Sequence, residues 1–288
     1  VELDRAGYGT LIHSALEGFG KAKGATDVTD TAEIEEGLSD ALDEHFKKSF
    51  GSEPEPGLAL QRETARERLI AFAVLQKKLA TEGWQTITCE GQLPDVTIEG
   101  VTPEGVNLGK VQVGGRFDRL DFNPLTKTWR VYDYKTYDEI KDNDPKSRHV
   151  KDLEHPSAKG RPGFEFQVDG KSYCWEELQL PVYYHNLRNA YGDHIKEDHK
   201  LEVGYIILPS EGTAQALIWE DYAEKFSEHG TAAIKSAVAR LLSEEPTLFA
   251  PKDTATKYPT LEHLKGRKPA AYMQTDLLGK VETKTTNK

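Results

Sequence analysis

Cysteine is scarce in this sequence, since Cys89 and Cys174 are the only two among 288 residues. Two thiols are too few for a four-cysteine iron–sulfur cluster, and a disulfide framework needs more in a chain of this length. Long apolar runs are also missing: no stretch reaches the roughly 20 residues that span a bilayer, and the N-terminus lacks the basic and apolar regions of a signal peptide. The sequence therefore predicts a soluble, cytoplasmic protein with reduced thiols.

The sequence also has fewer basic than acidic residues. The chain has 37 Lys and Arg against 48 Asp and Glu, a formal net charge of −11. This balance argues against a protein that coats duplex nucleic acid nonspecifically, because phosphate binding relies on clustered Lys and Arg. A local cationic face, or a carboxylate-rich site balanced by its metal ion, would still be compatible with it.

The most informative stretch covers residues 114–136, where strand-forming apolar and aromatic residues flank a short polar segment. Residues 123–127 read Asn-Pro-Leu-Thr-Lys, which is typical turn chemistry. The pattern predicts a β-hairpin, with further strands at 84–93, 96–108, 201–209 and 214–219. Helical periodicity predicts helices near 5–20, from residue 31, at 59–81, 172–191 and 221–242.

Folding this hairpin would bring Asp118 of one strand towards Asp133 of the other. Asp133 and Lys135 are two positions apart, so their side chains leave the same face of their strand. Two carboxylates and an amine on one patch suit a hard divalent cation and a proton acceptor, as in metal-assisted phosphodiester hydrolysis. The alternative is that Asp118 and Arg119 pair with neighbours on a solvated sheet face.

Four short motifs occur in an order that resembles a known family. GRFDRLD at 115–121 and VYDYK at 131–135 closely resemble the core of the PD-(D/E)XK nucleases, particularly the nuclease domain of the RecB and AddB type. GTLIH at 9–13 resembles the helical histidine motif of that group, and QLPVY at 179–183 resembles its Gln-x-x-x-Tyr helix.

The resemblance implies an α/β fold with a PD-(D/E)XK restriction-endonuclease-like core, a mixed central β-sheet flanked by helices, preceded by N-terminal helical elaboration. It also implies Mg²⁺ or Mn²⁺ as cofactor and no iron–sulfur cluster. The implied metal ligands are His13, Asp118, Asp133 and the backbone carbonyl of Tyr134. The implied catalytic residues are Asp118, Asp133, Lys135, Gln179 and Tyr183.

Several of these residues have a plainer interpretation. Without the resemblance, His13 is a packed or solvent-facing helical residue. Glu90, on the strand before the hairpin, is either a further metal ligand or an exposed carboxylate. Gln179 and Tyr183 share a helix face and either face the site or lie in the core, satisfied by backbone. Arg119 either grips phosphate or pairs with Asp121.

Domain organisation follows from the same pattern. We expect a nuclease domain over residues 1–245, with helical elaboration at about 5–81 and the core at about 84–245. The long polar stretch 137–171 is interpreted as a substrate flap or a solvated insertion. Residues 246–288 form an extension whose end is expected to be disordered. The chain starts at Val1 and enters a motif-bearing helix almost at once, which is compatible with a fragment of a longer polypeptide.

The predicted function is a metal-dependent nuclease that hydrolyses DNA, a RecB-like exonuclease of DNA repair or recombination. Its expected partners are single-stranded DNA or duplex with ends, and a helicase region or subunit; no membrane is expected. Two alternatives remain open: a catalytically silent DNA-binding or scaffold module of a helicase–nuclease complex, and a nuclease that acts on RNA.

Overall fold

The computed structural model describes residues 2–22, 24–136, 144–154 and 160–243. The predicted extension at 246–288 and parts of the predicted flap, 137–143 and 155–159, lie outside these residues. The described residues form two compact units, each made of separate chain segments. The first unit contains residues 2–92, 116–136, 144–148 and 192–223, and the second contains residues 93–115, 149–154, 160–191 and 224–243.

Within the described residues, helices and strands have the following bounds. The helices are α1 (Arg5–Lys21), α2 (Thr31–Phe50), α3 (Pro56–Thr81), α4 (Lys146–His149), α5 (Gln179–Ala190) and α6 (Ser227–Leu242). The strands are β1 (Gln85–Val101), β2 (Asn107–Asn123), β3 (Thr128–Lys135), β4 (Val150–Asp152), β5 (Glu165–Val168), β6 (Lys171–Trp175), β7 (Lys200–Ile207) and β8 (Gln215–Ile218).

The three N-terminal helices of the first unit form where the sequence predicts them. The carboxylates of Asp4 and Asp30 accept hydrogen bonds from backbone N–H groups in the first turns of α1 and α2, which satisfies donors that a helix start leaves free. The apolar faces of all three helices pack in one core with Tyr132 and Tyr134 of β3 and Ile206 of β7. This core fixes α1 and α3 against the sheet.

The strands of this unit belong to a sheet of order β1-β2-β3-β7-β8, of which the unit itself contains residues 85–92 of β1 and 116–123 of β2. β2 and β3 are antiparallel, as the predicted hairpin requires, and β7 and β8 are antiparallel too. β3 and β7 are parallel, with register from Thr128 opposite Lys200 to Lys135 opposite Ile207. The predicted α/β class, with a mixed sheet flanked by helices and helices at the N-terminus, is therefore confirmed.

The second unit contains a smaller antiparallel sheet of order β4-β6-β5, together with α5 and α6. The sequence prediction was wrong here in two places. The described part of 137–171 is not one long flap, because it contributes α4, β4 and β5. The predicted helix at 172–191 begins only at Gln179, since residues 171–175 form β6 and bury Tyr173, Cys174 and Trp175.

The predicted closing helix at 221–242 is also modified. It starts with a π-helical turn at Tyr222–Phe226, and α6 proper begins at Ser227. Just before this turn, Trp219 Nε1 donates a hydrogen bond to Asp221 Oδ1 at 3.0 Å. Among the described residues, no helix combines the length and apolar character needed to cross a bilayer. The single domain over 1–245 stays a prediction.

Candidate metal centre

The two aspartates of the predicted hairpin lie where its strand pairing ends. The last paired residues are Arg119 and Tyr132, so Asp118 and Asp133 each lie one position beyond the ladder. The Asp118 carboxylate instead accepts a hydrogen bond from the backbone N–H of Tyr134, at 2.6 Å. Asp118 and Asp133 are both largely buried, with 8% and 4% of their surface exposed. Burial of two acids at one strand end demands a compensating cation.

His13 reaches this strand end from α1. Its Nδ1 lies 3.6 Å from Asp118 Oδ2 and 3.4 Å from Glu90 Oε1 of β1. The imidazole meets the buried ring of Tyr134 edge-on, with centroids 5.6 Å apart. The flanking residues Leu11 and Ile12 are buried in the helical core, which sets the rotation of α1 and so the position of the imidazole.

Glu90 has a backbone conformation that few residues adopt. Its φ is +49°, in the left-handed region, which costs a non-glycine residue on the order of 1–3 kcal/mol. Its neighbour Gly91 is constrained as well, because a Cβ there would lie 2.4 Å from the ring of Phe117. Strain of this size persists where surrounding packing imposes it and is concentrated at functional sites. Here it falls on an acid of the cluster.

His13, Glu90 and Asp118 can together hold a metal ion, because one ligand atom from each lies within 4.8 Å of the others. The donor set is one imidazole nitrogen and two carboxylate oxygens. Oxygen-rich sets suit Mg²⁺ and Mn²⁺, whereas thiolates would favour softer metals. These residues therefore fit a divalent cation in the first unit.

The electrostatics of the cluster point the same way. Burial raises the pKa of Asp118 to about 7, and the negative charge of Asp133 adds to the effect. Burial alone would lower the pKa of His13, but the hydrogen bond to Glu90 and the charges of Asp118 and Asp133 outweigh it and raise the pKa to about 9. At neutral pH a protonated imidazole thus offsets the acids, and a metal ion must displace that proton to bind.

Asp133 is held by the lysine that follows it on the same strand face. Lys135 Nζ lies 2.7 Å from Asp133 Oδ2, with 17% and 6% of the two side chains exposed. The amine also lies 5.2 Å from the ring centroid of Tyr205 on the neighbouring β7. Asp133 is close enough to raise the pKa of both His13 and Asp118. Its role as a metal ligand, and that of the Tyr134 carbonyl, stay predictions.

Sequence reasoning missed Arg68 of α3. Its Nη1 donates to the backbone carbonyl of Leu208 at 2.6 Å and to that of Thr136 at 3.1 Å. The Leu208 N–H in turn donates to the Lys135 carbonyl at 2.8 Å. Arg68 thus ties the ends of β3 and β7 beside Lys135. The helical pattern of α3 could not indicate this role, because the residues whose carbonyls Arg68 binds lie far away in sequence.

The two arginines of the GRFDRLD motif have different environments. Arg119 is buried, donating at 2.7 Å both to Asp121 Oδ1 and to Gln76 Oε1, so its pairing with Asp121 is confirmed and the phosphate-grip interpretation is wrong. Arg116 is 59% exposed, with Nη2 3.6 Å from Glu90 Oε2 and 3.3 Å from the Glu90 carbonyl, to which it donates. Arg116 is the arginine that borders the metal cluster.

Gln179 and Tyr183 lie on α5 of the second unit. Gln179 Nε2 donates to Tyr183 Oη at 3.1 Å, which confirms that the pair shares a helix face. Because α5 starts at Gln179, Pro181 lies in the first turn, where its missing N–H costs no intrahelical bond. Their participation in the site formed by His13, Glu90 and Asp118 stays a prediction.

Comparison with known proteins bears on this site. The family model of the PD-(D/E)XK nuclease superfamily matches residues 1–256, which include the whole histidine, acid and lysine constellation. A search among curated proteins finds no match. The match spans most of the chain, and the mixed sheet with its carboxylates and lysine at one strand end is consistent with it. The chain therefore belongs to the PD-(D/E)XK nuclease superfamily.

Proposed function

We propose that this protein is a divalent-metal-dependent deoxyribonuclease, a RecB-like exonuclease of DNA repair or recombination. Membership of the superfamily indicates a nuclease; DNA as substrate, attack from an end, a helicase region or subunit as partner, and a cytoplasmic location are the proposed refinements. One observation carries the proposal: His13 Nδ1 lies 3.6 Å from Asp118 Oδ2 in the unit where Lys135 Nζ lies 2.7 Å from Asp133.

The acids and the imidazole are the groups that would hold the cation. His13, Glu90 and Asp118 would hold it directly, with Asp133 and the Tyr134 carbonyl as further ligands. When bound, a divalent ion polarises the scissile phosphate and acidifies a water. The raised pKa of Asp118, about 7, means that binding is favoured as pH rises and this carboxyl loses its proton.

Lys135 supplies the remaining chemistry. Its amine projects from the strand face that also carries Asp133, and Asp133 holds it in place. In this position it orients the attacking water or accepts its proton, and it offsets negative charge that develops on the phosphate. In-line attack would leave a 3′-hydroxyl and a 5′-phosphate. Gln179 and Tyr183 are proposed to position the substrate phosphate or this lysine.

The mode of cleavage is tested with a time course on end-labelled linear and on circular single-stranded DNA, with Mg²⁺ or Mn²⁺. We expect loss of the linear substrate and survival of the circle, because an exonuclease needs an end. Equal rates on both would show an endonuclease instead. A parallel arm with labelled RNA decides the substrate, since faster RNA cleavage would replace the DNA assignment.

Variants test the residues. Asp118→Ala and Lys135→Ala should abolish metal-dependent cleavage while the protein stays folded. Lys127→Ala is a matched control, because Lys127 lies at the turn of the same hairpin and pairs with Asp198 in solvent, at 2.6 Å. Full activity of Asp118→Ala would overturn the site. DNA binding without any Mn²⁺ site by calorimetry would favour the scaffold alternative.

A further inference from the structure

A tight turn precedes β5 in the second unit, with the sequence Arg161-Pro-Gly-Phe164. The Phe164 N–H donates to the Arg161 carbonyl at 2.9 Å, and Gly163 has φ +81°. Proline followed by glycine at the two central positions is typical of a type II turn, in which the second central residue requires positive φ. A Cβ at Gly163 would lie 3.1 Å from the Ser236 side chain of α6, so the turn packs closely on that helix.

Two arginines approach the ring of Phe164 at this turn. The guanidinium carbon of Arg240, from the last turn of α6, lies 4.4 Å from the ring centroid, and that of Arg161 lies 5.6 Å from it. Arg161 donates to the Trp175 carbonyl at 2.7 Å, and Arg240 donates to the Pro162 carbonyl. Cation–π contact and one backbone bond thus hold each guanidinium in place.

In the part of the chain that the structure describes, these two cations have no acidic counterpart. Among residues 2–22, 24–136, 144–154 and 160–243, no carboxylate lies within ion-pair distance of either Arg161 or Arg240. Burial, and to a lesser extent the charge of Arg161, lower the pKa of Arg240. A guanidinium carries five N–H donors, so one backbone bond leaves several for a ligand. Two fixed like charges with spare donors attract an anion to the space between them.

We propose that Arg161 and Arg240, positioned by Phe164, bind a phosphate of the nucleic-acid backbone. The planar array of N–H donors in a guanidinium matches the geometry of phosphate oxygens. Because both guanidiniums contact the same Phe164 ring, the distance between them is defined. The chain has a net charge of −11, so attraction of a polyanion depends on local clusters of this kind. The inference rests on the proposed function, because it takes the nuclease substrate as the ligand.

Equilibrium binding of a fluorescent single-stranded oligonucleotide tests it, in a Lys135→Ala background that prevents degradation. We compare Arg161→Gln/Arg240→Gln with Lys47→Gln/Lys48→Gln, which removes the same charge from two exposed lysines of α2. Loss of this phosphate contact should weaken binding about tenfold at low salt and make the salt slope shallower by about 0.7, whereas the control should change neither. Equal affinity and slope in both double variants would overturn the inference.

A second measurement uses the unmutated chain and does not depend on how the variants fold. Phenylglyoxal modification with peptide mapping should label Arg161 and Arg240, and the oligonucleotide should protect both. If metal-dependent DNA cleavage is observed but neither arginine is protected, the inference fails and the proposed function stands. If the protein neither binds nor cleaves DNA, both fail. Protection by polyglutamate but not by the oligonucleotide would assign the pair to an acidic protein partner and overturn the inference.

Discussion

Replacement of Asp118 by asparagine should stabilise the metal-free protein while it destroys the metal site. The pKa of this carboxyl rises from 3.8 to about 7 on folding, so the folded state favours the protonated form. The stabilising contribution of that protonated form is fully present below the unfolded pKa of 3.8 and is lost as pH rises through about 7. Asparagine mimics the neutral acid and can still accept the hydrogen bond from Tyr134.

The size of the effect follows from the pKa change. A change of one in pKa corresponds to about 1.4 kcal/mol, so the rise from 3.8 to about 7 sets an upper limit of about 4 kcal/mol at alkaline pH. Removal of the Asp118 charge also weakens the attraction that holds the proton on His13. We therefore expect a gain on the order of 2 kcal/mol at about pH 8, and a smaller gain at about pH 5.

Urea denaturation in EDTA, at both pH values, measures this gain as a change in the free energy of unfolding. Asp121→Asn is the matched control: Asp121 is also buried and lies on β2, but its Oδ1 accepts from Arg119 Nε at 2.7 Å. Its loss should cost about 3–5 kcal/mol, because the arginine charge stays buried without its partner. If Asp118→Asn were also less stable than the unmodified protein at about pH 8, the electrostatic account of the cluster would be wrong.

Three further results are expected. Arg68→Ala should lower kcat about tenfold or more with little change in KM, because it releases the strand ends beside Lys135. Arg68→Lys should restore part of the rate. A rise in KM as large as the fall in kcat would contradict a positioning role. The pKa of His13 is about 9, so its imidazole must lose a proton when a metal ion binds at about pH 8. Calorimetric titration with Mn²⁺ in buffers of different ionisation enthalpy should therefore show release of about one proton per ion. Heats that do not depend on the buffer would argue against His13 as a ligand. Gly91→Ala should lower the free energy of unfolding by about 1–3 kcal/mol, measured with urea, because its Cβ would lie 2.4 Å from Phe117; an unchanged value would mean that the ring moves freely.

The parts of the fold that the sequence predicts well are those with long, regular patterns. α1, α2 and α3 each repeat their apolar positions over four or more turns, and the hairpin of β2 and β3 has both alternation and turn chemistry. β6 was mistaken for a helix because its five residues are too few to separate a period of 2 from one of 3.6. Short strands whose partners lie elsewhere in the chain leave little local signal.

The same reasoning applies to the site. Asp118, Asp133 and Lys135 could be found because they lie on adjacent strands joined by a short turn. Glu90 could not be separated from an ordinary strand carboxylate, because its membership of the cluster depends on packing between α1 and β1. Arg68 donates to backbone carbonyls, which every residue type has, so no sequence motif identifies its partners.

The parallel pairing of β3 with β7 has a consequence for synthesis of the chain. Thr128 pairs with Lys200, and residues 149–191 of the second unit are encoded between them. The strand that carries Lys135 therefore emerges from the ribosome well before its parallel neighbour exists, with one edge open to other chains. Nascent protein should depend on chaperones until β7 arrives, and translation that terminates before residue 200 should yield aggregates rather than a smaller nuclease.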